Sequence, residues 1–120
     1  MPAYIKRQDL DTEYYFKEGC HIIEVSNSDD DPNLSIARAR VEPGMQTQWH
    51  YLDATTERYV ILEGQGLVEV GDEPPAVVQS GDVVIIAAGQ RQRIQNTGES
   101  DLIFLAICSP RFQAEKYFGL

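Results

Sequence analysis

The sequence is short of most of what would mark a nucleic-acid binder, a membrane protein or a disulfide-stapled scaffold. Basic residues are few: 10 Lys and Arg stand against 19 Asp and Glu, a formal net charge of −9. That sign repels phosphate backbones and anionic lipid, which argues against a nucleic-acid partner and against a membrane partner. No apolar run approaches the roughly 20 residues of a membrane-spanning helix. The opening stretch MPAYIKRQDLDTEYYF lacks the apolar segment of a secretory signal. A cytoplasmic protein is therefore expected. Cysteine is scarce as well. Cys20 and Cys108 form neither a CxxC pair nor a zinc-finger spacing, and both border strand-like runs, so two reduced, buried thiols are expected rather than a disulfide. Helical periodicity is nearly missing, since no window sustains apolar residues at i, i+3, i+4 and i+7.

What is present is a series of short β-branched runs separated by turn residues. The 120 residues, 42% of them hydrophobic, suit one domain over 1–120 with a core of its own. Strands are expected at Cys20 to Val25, Leu34 to Val41, Glu57 to Glu63, Leu67 to Val70, Val83 to Ala88, Gln92 to Gln95 and Leu102 to Ser109. The run SNSDDDPN, from Ser26 to Asn33, reads as a solvated loop; it lacks the alternating acids and closing Glu of a calcium loop. In Leu34–Val41, Ser35, Ala37, Ala39 and Val41 share one face while Ile36, Arg38 and Arg40 share the other. The two arginines could fork onto an anion, but a solvent-facing or partner-facing strand is the plainer account. After Pro110 the tail forms a short helix or covers one end of the barrel. Evenly spaced strands with glycine turns and no helices between them imply an all-β sandwich or barrel.

Two stretches choose between those architectures. GMQTQWHYLDATTERYVILEG, from Gly44 to Gly64, resembles the first motif of the cupins, Gly-x5-His-x-His-x3,4-Glu-x6-Gly, with Gly44, His50, Glu57 and Gly64 in register. GDVVIIAAGQRQRIQN, from Gly81 to Asn96, resembles the second, Gly-x5-Pro-x-Gly-x2-His-x3-Asn, with Gly81, Gly89 and Asn96 in register. The resemblance covers 44–96 and implies the cupin double-stranded β-helix, an antiparallel jelly-roll barrel. The flanking runs look like small bacterial cupins often labelled as resembling mannose-6-phosphate isomerase, a label that reflects fold more than activity. Alternation puts Glu57, Tyr59 and Ile61 on one strand face, so Glu57 can point into a barrel whose wall includes Tyr59.

In metal-binding cupins, three histidines and the glutamate of these motifs hold one divalent ion. By position those sites are His50, Leu52, Glu57 and Gln92, so two imidazoles are replaced by an alkyl group and an amide. The Pro of the second motif is Ala87. The resemblance thus implies a pocket of His50, Leu52, Glu57, Tyr59 and Gln92. It also implies a reduced metal set, His50, Glu57 and Gln92, for one ion such as zinc, nickel, iron or manganese. The alternative is a barrel without metal, in which His50 and Glu57 bond each other or a water. His21 lies outside the family pattern and reads as an ordinary strand histidine. Trp49 should face away from its neighbour His50.

Two classes of function stay open. One is a non-catalytic binder of a small-molecule ligand, with His50, Glu57 and Gln92 as polar anchors. The other is a metal-dependent enzyme, isomerase- or dioxygenase-like, acting on a small oxygenated organic substrate through Lewis-acid chemistry. A homodimer is expected, because small cupins commonly pair and an open jelly roll has edges to cover. Tyr14, Tyr15, Phe16, Phe112, Tyr117 and Phe118 are the candidate contacts, unless they fold back to plug their own barrel.

Overall fold

The computed structural model describes residues 3–120. The strands are β1 (Tyr14–Phe16), β2 (Cys20–Ser26), β3 (Ser35–Val41), β4 (His50–Leu52), β5 (Thr56–Glu63), β6 (Gln65–Val70), β7 (Ala76–Gln79), β8 (Val83–Ile86), β9 (Gln92–Asn96), β10 (Leu102–Ser109) and β11 (Tyr117–Gly119). They build a six-stranded sheet in the order β1-β2-β3-β10-β5-β8 and a five-stranded sheet in the order β11-β4-β9-β6-β7. Among the described residues, helix is limited to short 3-10 turns at Leu10–Thr12 and Ala114–Lys116. This is the antiparallel jelly roll that the motif spacing implies.

Alternation along the strands decides what faces inward. On β5, Glu57, Tyr59 and Ile61 are buried, whereas Thr56, Arg58 and Val60 are half-buried and Leu62 is exposed. On β9 the buried positions are Gln92, Ile94 and Asn96. Across the sheet, Cys108 pairs with Glu57, Ala106 with Tyr59 and Phe104 with Ile61. The interior is therefore graded along the barrel. Ile61, Ile94, Leu102, Val41 and Phe104 pack one end as a dry apolar core. Glu57, Gln92 and Cys108 bring polar groups to the other end, and Tyr59 stands between the two regions.

The motif residues hold the strands together through the backbone. Gly44 N–H donates to Asn96 O, Gly89 N–H to Leu52 O and Gly81 N–H to Ile61 O, at 3.2, 2.9 and 2.9 Å. Asn96 supplies the matching side-chain bonds: its Nδ2 donates to Val41 O and Ser100 O and its Oδ1 accepts from Gly98 N, each at 2.8 Å. A buried asparagine with its amide satisfied in this way fixes a corner at little desolvation cost. Gly64 has φ +84, and a Cβ there would lie 2.8 Å from Asp101 O, so the chain needs glycine at this crossing.

At the ends of the chain, several of the candidate contact aromatics fold back onto their own barrel, the alternative that the sequence left open. Phe16, Phe112 and Tyr117 turn to the barrel interior, and only Tyr14, Tyr15 and Phe118 keep substantial exposure. The tail is a 3-10 turn followed by β11, which pairs with β4 and lays Tyr117 opposite Leu52. Ring burial explains this: each aromatic removes more apolar surface from water inside the barrel mouth than on an open face. Arg38 and Arg40 point outward to Glu13, with Nη1 of Arg38 at 3.3 Å and Nη2 of Arg40 at 2.7 Å, so their forks are already occupied.

Candidate functional site

A cavity of about 70 Å3 opens between the two sheets at the polar end. That is room for a handful of waters or an organic molecule of a few heavy atoms. His50, Leu52, Glu57 and Tyr59, four of the five pocket residues expected from the sequence, line it. The fifth, Gln92, is 1% exposed and faces His50 in the β4–β9 register, but it sits in the wall rather than on the cavity surface. Its side-chain carbonyl accepts a short hydrogen bond from the Tyr59 hydroxyl.

His50 reaches the site because β4 alternates His50 and Leu52 inward. Its Nδ1 lies 2.8 Å from the carbonyl of Gln48, and a carbonyl can only accept, so that nitrogen carries the proton. Nε2 is then the lone-pair side of a neutral ring. Burial holds the imidazole pKa below its ordinary value, partly countered by the Gln48 bond. The ring stacks on Tyr117 at 5.1 Å between centroids, and Lys17 Nζ stands 5.2 Å from the same Tyr117 ring.

Glu57 is 8% exposed, and burial pushes its carboxyl up to about 7, against partial support from Gln92 and Cys108. The Cys108 thiol, 3.8 Å away, donates weakly to Oε2, while Oε1 is buried with no hydrogen-bond partner.

A second acid stands in the same cavity. Glu18 occupies the turn between β1 and β2, where Gly19 at φ +106 lets the chain reverse against Gln46. Its carbonyl accepts from Gln48 N–H at 2.8 Å, tying the turn to the segment that enters β4. The carboxyl folds inward: Oε1 accepts from the Cys20 thiol at 3.3 Å, and Oε2 lies 3.0 Å from His50 Nδ1. The proton of that nitrogen is directed at Gln48, which leaves Glu18 Oε2 buried without a hydrogen bond. Burial, then the neighbouring Glu57 charge, raise the Glu18 carboxyl to about 8. Sequence reading passed over Glu18. The available signal was alternation: Tyr14, Phe16, Glu18, Cys20, Ile22 and Glu24 follow a two-residue period through the turn.

The cysteines are free and buried, as the sequence suggests. Burial and the adjacent carboxyls push both thiols far above their usual range, which makes them poor nucleophiles. The other singled-out residues lie outside the barrel. His21 Nε2 pairs with Glu42 at 2.7 Å, and Trp49 is flanked by Arg91 and Arg93 at 4.5 and 4.3 Å from its ring.

The donor chemistry of this chain does not complete a cupin metal centre. Leu52 offers no donor, and the carbonyl of Gln92 is engaged by Tyr59. Among the described residues no three His, Cys, Asp or Glu side chains converge as metal ligands. His50 and Glu57 remain as the retained half of the four-ligand set.

Comparison with known proteins agrees with this architecture. The family model described as Cupin domain matches residues 37–108. An oxalate-binding protein of Thermotoga maritima is 36% identical over 72 residues, covering 59% of this chain and 58% of its own length. The chain thus spans little more than half of that relative. An uncharacterized protein of Methanocaldococcus jannaschii is 32% identical over 108 residues, 85% of this chain and 82% of its own. The crystal structure of a predicted oxalate decarboxylase from Thermotoga maritima superposes with a TM-score of 0.70 at 26% identity, covering 76% of this chain and 80% of that one. Motif, barrel and family match agree: the chain belongs to the cupin family.

Proposed function

We propose that the barrel binds a small, largely apolar molecule that is neutral or positively charged, and not a dicarboxylate such as the ligand for which its Thermotoga relative is named. One observation carries this reading. Glu18, Glu24 and Glu57 line the cavity, and among the described residues no Lys or Arg does. Two like charges 4 Å apart repel by about 4 kcal/mol at an effective dielectric of 20. A dianion would meet that cost from each acid that is ionised, with no cation in the wall to offset it. The aromatic and aliphatic lining fits a compact apolar body, and the free polar atoms fit its hydrogen-bonding end.

The same donor chemistry leaves the metal-dependent enzyme without a resident ion to act through. Zinc, nickel, iron or manganese would have to rest on His50 and Glu57 alone. Calorimetry on chelator-treated protein tests the reading. Isobutanol should bind and oxalate should not; oxalate binding as tight as isobutanol without added metal overturns it.

The pocket also bears on assembly. On the larger sheet, Val83 and Ile85 of the edge strand β8 are 56% and 71% exposed and pair with Val60 and Arg58 of β5, and Leu62 of β5 is exposed as well. An apolar face that runs to an unpaired edge is what a second copy would cover, so we assign the homodimer contact here rather than to the terminal aromatics. Two free thiols support a cytoplasmic setting.

A further inference from the structure

We infer that the ligand is a primary organic ammonium that pairs the two orphaned acid oxygens of the cavity, Glu18 Oε2 and Glu57 Oε1. The inference rests on the pocket reading above and narrows it to one chemical class.

The argument is an inventory of acceptors. Glu18 Oε2 and Glu57 Oε1 are the buried side-chain polar atoms without a hydrogen-bond partner among the described residues. Both belong to residues of the cavity wall, and Glu57 is more than nine-tenths buried. An unpaired buried polar atom costs about 1–3 kcal/mol, so two in one cavity are an expense that a ligand would recover. The other oxygen of each acid already has a thiol, Cys20 for Glu18 and Cys108 for Glu57, so each acid presents one oxygen to a newcomer.

An alkylammonium group carries three N–H donors and no acceptor, so it can satisfy both oxygens at once and carries the charge that suits them. A hydroxyl has one donor and would leave one of them unsatisfied. A carboxylate has none. The remaining wall suits the rest of such a molecule: Phe16, Phe104 and Tyr117 provide apolar surface, and ring faces attract a cation. Lys17 does not supply that cation from within the chain. Its ammonium stands by the Tyr117 ring, but the residue is not part of the cavity wall. Glu24 and Tyr14, both well exposed, stand where the wall meets solvent and add one more acidic group along the way in.

The test uses three probes of one shape, isobutylamine, isobutanol and isobutyrate, titrated into chelator-treated full-length protein at about pH 9, where both acids are ionised and the amine still carries its proton. Leu52 methyl shifts report whether a probe enters the barrel. Isobutylamine should bind at least about tenfold more tightly than isobutanol, a charge-assisted gain of roughly 1.4 kcal/mol, and isobutyrate should not bind. Glu18→Gln and Glu57→Gln should each bring the ratio of isobutylamine to isobutanol affinity close to one, because the amide keeps the shape and loses the charge. Isobutylamine no tighter than isobutanol, or unaffected by both substitutions, overturns the ammonium inference and leaves the pocket reading standing. Absence of Leu52 shifts with all three probes overturns both. Should Glu57→Gln fail to fold, Glu18→Gln and the wild-type ranking still decide.

Discussion

The Tyr59 hydroxyl donates its hydrogen bond to the side-chain carbonyl of Gln92, two fully buried groups on facing sheets. This contact joins the dry end of the barrel to its polar end. It also occupies the one oxygen that Gln92 could have offered to a metal. Removing the donor leaves a buried carbonyl unpaired, so Tyr59→Phe should cost about 1–3 kcal/mol in denaturant unfolding. Gln92→Glu should cost more, because it adds an acid beside Glu57.

Stability should fall as pH rises through neutrality, which is opposite to acid denaturation. The sign follows from proton counts. In the unfolded chain Glu18 and Glu57 release their protons near pH 4.5, whereas in the fold they hold them to about 8 and about 7. The folded state therefore binds more protons between pH 4.5 and 8, and stability declines across that window. His50 acts in the other direction: its folded pKa is lowered, so it contributes stability above its ordinary value and loses it as pH drops. Comparing Glu57→Gln with wild type isolates the acid. The variant should gain on wild type from pH 5 to 8 by an amount of order 1–3 kcal/mol. A constant difference across that range would contradict the burial of Glu57 as an unpaired acid.

Most of the strands were legible because each needs only a two-residue period between turn residues. The corners were legible because glycine at 44, 64, 81 and 89 is required by backbone geometry, as positive φ at all four attests. His50 and Glu57 followed from motif spacing. Two parts of the site were not readable. Glu18 sits on a turn, where alternation is not expected to persist, and only the fold shows that the turn leans inward over β4. The engagement of Gln92 depends on Tyr59, 33 positions away, and no local pattern encodes such a contact. The terminal aromatics left two accounts open for a related reason: periodicity says that a ring must be buried, but not whether its own barrel or a partner buries it.

The assembly proposal has a direct test. Ile85→Glu places a charge at the most exposed apolar point beside the edge strand. Wild type should scatter light as a dimer of 13.5 kDa chains at micromolar concentration, and the variant should scatter as a monomer with unchanged ligand affinity. A monomeric wild type would refute the dimer. A variant that stays dimeric would move the interface elsewhere.

The last prediction returns to the two lost ligand positions. Leu52 and Gln92 extend from the strands that carry and face His50, so their backbones aim at the same region as His50 and Glu57. Leu52→His and Gln92→His together should rebuild a set of three imidazoles and one carboxylate. Imidazole is the better donor toward late first-row divalent ions, and leucine contributes none. Wild type should bind nickel weakly through His50 and Glu57. Each added histidine should tighten binding by on the order of tenfold where a neighbouring group orients its ring. Leu52→His is the cleaner single variant, because Gln92→His also breaks the bond to Tyr59 and must recover that cost first. The double variant should therefore gain more than the two single gains combined, since the metal itself would then hold the new ring in place of the lost hydrogen bond. Calorimetry on the four proteins decides it. No gain in a folded double variant would mean that these side chains do not converge, and tight stoichiometric nickel in wild type would refute the incomplete donor set.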